Sequence, residues 1–123
     1  MPNAQLTVNV RQDTPQLKVV ALGGSLTLET VAGFNQQFRE DPVSAMVLDL
    51  AELTWLDSAG VGALVQLLVR RSKEQHALAL AALSPRNQGV LQVAQVMKLF
   101  AVYKTADEAA AALGTSGSAQ RSA

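Results

Sequence analysis

The sequence predicts a single α/β domain built on a mixed sheet, with an antiparallel hairpin at its start and strand–helix crossovers after it. Three observations carry that reading. Two segments of alternating apolar residues open the chain, short wholly apolar runs recur further along, and stretches with helical spacing separate those runs. The 123 residues are 49% hydrophobic and 16% charged, which suits one globular core. A domain of this size buries roughly two-thirds of its unfolded surface and needs no covalent or metal staple. With no cysteine present, a disulfide framework and a thiolate zinc site are both excluded.

Taken in order, Leu6, Val8 and Val10 fall on one side of a first strand, and Leu17, Val19 and Ala21 on one side of a second, with Asp13-Thr14-Pro15 as the turn. Gly23-Gly24 ends the alternation. Ser25 or Thr27 is the expected cap of a first helix, from about Leu28 to Glu40, with Val31, Phe34 and Phe38 as its apolar face and Asp41-Pro42 as its stop. Ala45 to Leu50 is a short apolar run of the kind that forms a buried strand, followed by a loop to Ser58. Val61, Leu64, Val65, Leu68 and Val69 then repeat at i, i+3, i+4, i+7 and i+8, so a core-facing helix is expected from Ser58 to Glu74.

A further strand covers Ala77 to Leu83, and Ser84-Pro85 opens a helix whose inner stripe is Val90, Ala94 and Met97. Leu99 to Tyr103 reads as the last strand. Thr105 and Glu108 form a capping box for an alanine-rich helix to about Leu113. The order is therefore ββαβαβαβα, in which strand–helix–strand crossovers force neighbouring strands to be parallel after the antiparallel start. Residues 1–113 form the domain; 114–123, mostly small and polar, are expected to be a flexible tail.

Several function classes drop out on composition. The formal charge is zero, and Arg70-Arg71 is too small a basic patch for a polyanion, so no nucleic-acid partner is expected. The longest uncharged candidate for a membrane span, Ser58 to Val69, falls short of the ~20 apolar residues required. No basic segment followed by an apolar run stands at the start, so a soluble, cytoplasmic protein without membrane insertion is expected.

Catalysis is equally constrained. The sole histidine, His76, lies beyond a helix that separates it from Ser58 by roughly 25 Å, too far for a nucleophile–base pair; it reads as a solvated loop residue. Asp49 at a strand end, with Glu52 and Asp57 in the following loop, lacks the cleft and the divergent environments of an acid–base pair. Gly60-Val61-Gly62 sits at a helix start, where free N–H groups attract anions, but no Gly-Lys-Ser/Thr follows, and Gly23-Gly24 is not part of Gly-x-Gly-x-x-Gly. No catalytic residue, metal ligand or cofactor is therefore assigned. Glycines there let the helix start lie close to the sheet, and Asp57 is its N-cap.

The stretch Val47-Leu48-Asp49-Leu50-Ala51-Glu52-Leu53-Thr54-Trp55-Leu56-Asp57-Ser58-Ala59-Gly60-Val61-Gly62-Ala63-Leu64, with its Asp-Ser-x-Gly-x-Gly core, resembles the strand, loop and helix signature of the STAS domain. Founding members of that family are anti-sigma factor antagonists, and the likeness in element order spans about Gln5 to Leu113. The resemblance implies that Ser58 is the phosphorylation site. It further implies that the partner is an anti-sigma factor that is also a serine kinase of the histidine-kinase-like ATPase type. Unmodified chain would bind that kinase and release the sigma factor, regulating transcription, and a metal-dependent serine phosphatase would reset the cycle, ATP and magnesium belonging to the partners.

The implied partner surface comprises Trp55, Asp57, Ser58, Ala59 and Gly60, together with Gly24, Ser25 and Thr27. Members often carry Gly-x-Leu-Asp before the first helix, where this chain has Gly24-Ser25-Leu26-Thr27 and so a neutral residue. For Trp55, a place in the partly buried core is preferred over an exposed interface anchor. Two other readings stand beside this one: a phosphorylation-independent STAS subunit of a transporter ATPase or stress-signalling complex, and a weak nucleotide-binding enzyme, disfavoured by the missing base and phosphate-binding lysine. Removing residues 114–123 is expected to leave the melting temperature nearly unchanged; a drop of several degrees would place that segment within the folded domain.

Overall fold

The computed structural model describes residues 5–122, with side chains described as far as Gly114. Its elements are β1 (Leu6–Thr14), β2 (Leu17–Leu26), α1 (Val31–Gln37), β3 (Ala45–Leu56), α2 (Ser58–Lys73), β4 (Ala77–Ala81), α3 (Pro85–Val93), a 3₁₀ turn (Met97–Leu99), β5 (Ala101–Tyr103) and α4 (Ala106–Ser122). The ββαβαβαβα order and the mixed sheet are as the sequence predicts. The strands lie side by side in chain order, β1 antiparallel to β2 and the remaining neighbours parallel.

That sequential order decides the layering. Right-handed crossovers that always step the same way place their helices on one face, and α1, α2 and α3 indeed pack side by side. The core on that face is bulky, with Leu22, Phe34, Met46, Leu48, Leu50, Leu64, Leu67 and Leu91 all fully buried. α4 returns across the other face, where a thinner layer of Leu17, Val19, Val47, Ala79 and Ala81 meets Ala109 and Ala110. The Thr105 hydroxyl accepts from the Glu108 N–H at 3.0 Å, as the capping motif requires. Helical backbone continues to Ser122, beyond the expected end near Leu113.

Several boundaries and faces differ from the sequence reading. β2 runs through Gly23-Gly24 to Leu26, and β3 runs six residues past Leu50, because the two extensions pair with each other, Gly23 with Glu52 and Leu26 with Leu56. Glu52 and Trp55 thus belong to a strand and not to a loop. The glycines mark irregularities in this ladder, between Ala21 and Gly23 and between Gly24 and Ser25, instead of ending the strand. α1 starts at Val31, and neither Ser25 nor Thr27 caps it: the Thr30 hydroxyl accepts from the Thr27 N–H at 3.0 Å and donates to the Ser25 carbonyl at 2.8 Å, winding residues 27–30 into a turn.

The buried stripe of α2 is Gly60, Val61, Ala63, Leu64, Leu67 and Arg71, leaving Val65 and Leu68 at its margin and Val69 exposed. Small residues at 60 and 63 turn that side towards the sheet because it can approach most closely. α3 ends at Val93, short of two residues of its expected stripe: Asn87 and Leu91 are buried and Val90 half-buried on the helix, while Ala94, beyond its end, is exposed and Met97, in the 3₁₀ turn, is half-buried.

Two polar side chains on these stripes satisfy backbone groups that the sheet leaves open. Arg71 is buried, and its guanidinium donates to the Val43 carbonyl at 2.8 Å and to the Ala77 carbonyl at 3.0 Å, tying the end of α2 to the beginnings of β3 and β4. Burial lowers its affinity for the proton, opposed by the charges of Asp41 and Glu74. For Asp41, burial acts to raise the carboxyl, but the 2.6 Å bond from Lys18, the Val43 N–H and the Arg71 charge outweigh it and hold the group below its usual range. Pairing of β3 with β4 ends at Asp49 and Ala81; beyond that point Asn87 donates to the Leu53 carbonyl at 2.8 Å.

The α2 assignment is tested by two truncations. Leu64→Ala removes a fully buried side chain and is expected to destabilise by about 2–5 kcal/mol, while Val69→Ala should stay within about 0.5 kcal/mol of the parent in denaturant melts.

Candidate functional site

β2 and β3 extend together past the end of β4, and the loops that follow them meet at their carboxyl ends. Asp57 holds this junction. It is the extended N-cap of α2, its Oδ1 accepting from the Gly60 N–H at 2.9 Å and its Oδ2 from the Leu28 N–H at 3.1 Å. One carboxylate therefore closes the first turn of α2 and anchors the turn before α1. Thr54 adds a strand-to-strand bond, its hydroxyl donating to the Gly24 carbonyl at 2.9 Å.

Backbone packing reinforces the clamp. A Cβ on Gly60 would lie 2.1 Å from the Leu26 carbonyl oxygen, so residue 60 must be glycine for α2 to begin where it does. Gly62 meets nothing within 4 Å and has no such constraint, which divides the pair of glycines that the sequence presents together. Gly24 has φ +86, and a Cβ there would be 2.3 Å from the Gln5 carbonyl oxygen, fixing the glycine where β1 crosses the site.

The structure brings the expected site residues into one region but does not expose them alike. Ser58 is exposed at the first position of α2, and Asp57, Ala59, Gly24 and Thr27 are half-buried. Ser25 and Gly60 are buried and shape the junction from beneath. Trp55 departs from the core placement preferred above. It is 40% exposed, and the Arg86 guanidinium lies 4.1 Å from its ring centroid, within cation–π range. Leu28, 77% exposed beside the Asp57 bond, adds a second apolar side chain to this surface.

Leu28 and Arg86 were not legible as site residues, since neither belongs to a local motif. Arg71 did leave a signal, falling four residues after Leu67 on the buried phase of α2. His76 sits past the far end of α2 and is less solvated than expected, its side chain 21% exposed with Nδ1 3.5 Å from Glu74 Oε1. Asp49 turns back on its own strand, Oδ1 accepting from the Ala51 N–H at 3.1 Å. Among the described residues there is no cluster of three or more side chains suited to holding a metal ion, and no helix long and apolar enough to cross a membrane.

The profile of the STAS domain matches residues 6–109. The chain belongs to the STAS domain family. Such domains are regulatory and non-catalytic. No curated protein sequence matches the chain. Among solved structures, it is similar to an anti-sigma factor antagonist from Mycobacterium paratuberculosis, at 24% identity and a TM-score of 0.80, over 90% of this chain and 96% of that one. It is also similar to the phosphorylated form of the Bacillus cell fate determinant SpoIIAA, at 20% identity and a TM-score of 0.62, over 84% and 96% of the two chains. The STAS domain of a SulP transporter from Vibrio cholerae aligns at 21% identity and a TM-score of 0.71, over 86% and 87%. These likenesses establish a shared fold.

The junction of this STAS domain makes opposite demands on its two helical glycines. Gly60→Ala is expected to lower stability by at least about 2 kcal/mol, by forcing the helix start away from Leu26. Gly62→Ala, at an open helical position, should raise it by about 0.5–1 kcal/mol. Equal effects in thermal melts would show that the close approach does not constrain the site.

Proposed function

We propose that this STAS domain is an anti-sigma factor antagonist whose binding is switched by phosphorylation of Ser58. The observation that carries the reading is the placement of Ser58: exposed, at the first position of α2, directly after a carboxylate whose two oxygens are both engaged. A kinase can reach such a hydroxyl without unfolding anything. Once added, phosphate brings about −1.5 to −2 charges and three acceptor oxygens. The start of α2 tolerates that charge through its dipole, so the fold survives.

Binding does not survive, because Asp57 cannot rotate away without giving up the Gly60 and Leu28 bonds. The new charge therefore stands beside a held carboxylate, within a surface that also presents Trp55 and Leu28 to the partner. Ala59, Gly24 and Thr27 border that surface, and Ser25 and Gly60 set its shape from below. The partner is an anti-sigma factor acting as serine kinase, of the histidine-kinase-like ATPase type, and a metal-dependent phosphatase returns Ser58 to its free state.

A second reading, a phosphorylation-independent interaction subunit, draws support from Thr27, which is neutral where family members often carry an acid. Variants at Ser58, titrated against the kinase recovered with unmodified protein, separate the two. Ser58→Ala should fold, resist phosphorylation and bind the kinase. Ser58→Asp and Ser58→Glu should fold yet bind more weakly by at least ~2 kcal/mol, about thirtyfold in affinity, the cost of desolvating an unpaired charge in a contact. Wild-type affinity in both acidic variants would favour the second reading, and phosphate found on Ser58→Ala by intact mass would place the acceptor elsewhere.

A further inference from the structure

Arg86 stands at a position that its own helix disfavours. It is the second residue of α3, after Pro85, where free backbone N–H groups and the helix dipole already gather positive charge, and the first turn holds no acidic residue to offset it. It is exposed, and among the described residues no carboxylate comes within ion-pair distance of its guanidinium. The turn that carries it is nonetheless fixed. The Ser84 hydroxyl accepts from the Asn87 N–H at 3.1 Å, and the fully buried Asn87 side chain donates to the Leu53 carbonyl at 2.8 Å. A cation held against the local electrostatics on a rigid support is a breach of local preference of the kind that marks functional surfaces.

What the guanidinium does meet is the face of Trp55, 4.1 Å from the ring centroid, and the indole stays 40% exposed beneath it. Trp55 lies on the extension of β3, three residues before Ser58, so the pair adjoins the proposed switch. Tryptophan and arginine are the residue types that most often dominate binding energy in protein interfaces, since a broad aromatic face and a weakly hydrated guanidinium both shed water at little cost. The neighbouring charges are already committed or turned elsewhere. Both Asp57 oxygens are engaged by N–H groups, Glu52 sits against Gly23 of β2, and Glu29 lines the groove between β1 and α1. Arg86 is therefore the charge that a partner seated on Trp55 has to match.

We propose that Arg86, carried on Trp55, determines which partner this surface accepts by taking a carboxylate, an aspartate or glutamate side chain of the protein whose binding Ser58 controls. The inference rests on the phosphorylation-switch reading and adds the chemistry of the partner to it. The indole supports the guanidinium from one side, and with no internal ion pair its N–H fork is free to receive both oxygens of an incoming carboxylate. Apolar side chains around that acid would cover the rest of Trp55 and the exposed Leu28. Arginine suits the position where lysine would not, because it combines the flat contact with the ring and the paired donors. A phosphate on Ser58 then places its charge beside a surface that has drawn in a carboxylate, so the contact that selects the partner also sharpens its release.

Trp55 is the sole tryptophan, which makes the contact directly visible. With fluorotryptophan incorporated, the single fluorine resonance should move in Arg86→Gln, and in the parent it should move when the kinase retained by unmodified protein is added. Against that kinase Arg86→Glu should raise the dissociation constant at least about tenfold, and Arg86→Lys by less. Reversing the charge of the matching partner acid should restore binding to Arg86→Glu. Thermal melts separate this from a structural role: Arg86→Glu should melt no lower than the parent, because an acid suits the first turn of a helix. Wild-type affinity in Arg86→Glu, a binding loss that comes with a lowered melting temperature, or the lack of any partner acid whose reversal restores binding would each overturn the proposal. Ser58→Asp, titrated in parallel, tells the two readings apart. Weakening by Ser58→Asp alone keeps the switch and removes this contact, whereas weakening by Arg86→Glu alone keeps the contact and removes the switch.

Discussion

The first turn of α2 rests on the last carbonyls of β2, and the site depends on that contact. Gly60 allows backbone to meet backbone at Leu26, and Asp57 closes the same junction with one carboxylate shared between Gly60 and Leu28. A larger residue at 60 would lift the helix. Loss of the carboxylate would leave two N–H groups without their acceptor. Ser58 owes its position to both, since the residue between a fixed cap and a seated turn has little freedom in where its side chain emerges.

The rest of the fold serves to hold that junction at an accessible rim. Crossovers stepping in one direction gather α1, α2 and α3 on one face, where large side chains fill a deep core. The opposite face needs only the alanine-rich surface of α4, and its layer of small residues is correspondingly thin. β2 and β3 outrun β4, and Asn87 takes up the Leu53 carbonyl beyond the end of the β3–β4 ladder. The extension carries the site to the sheet's carboxyl rim, where ligand contacts in parallel α/β sheets usually lie.

The proposed switch at this place would separate stability from binding. The groups that hold the junction are backbone carbonyls, glycines and a single aspartate, and none of them involves the Ser58 side chain. Charge added there changes what the surface repels without removing an interaction that keeps the domain folded. Trp55, stacked under Arg86, and Leu28 offer apolar area beside the same point, so a partner seated on them would desolvate any new charge at Ser58.

The element order, the parallel sheet after an antiparallel start, the Asp57 cap and the Asp-Ser-x-Gly-x-Gly signature all followed from the sequence, because each rests on spacing within a dozen or so residues. Periodicity placed α2 correctly but rotated its buried face towards Val65 and Val69, since hydrophobicity marks large residues while close packing favoured the side with Gly60 and Ala63. The length of β3, the continuation of β2 through its glycines and the exposure of Trp55 were decided by the tertiary structure. Each depends on a partner far away in the chain: Gly23 to Leu26 for the end of β3, and Arg86 for the indole. Local pattern records what a segment prefers, whereas strand ends, the choice of buried face and the company of an exposed ring are settled by which distant atoms the fold brings within reach.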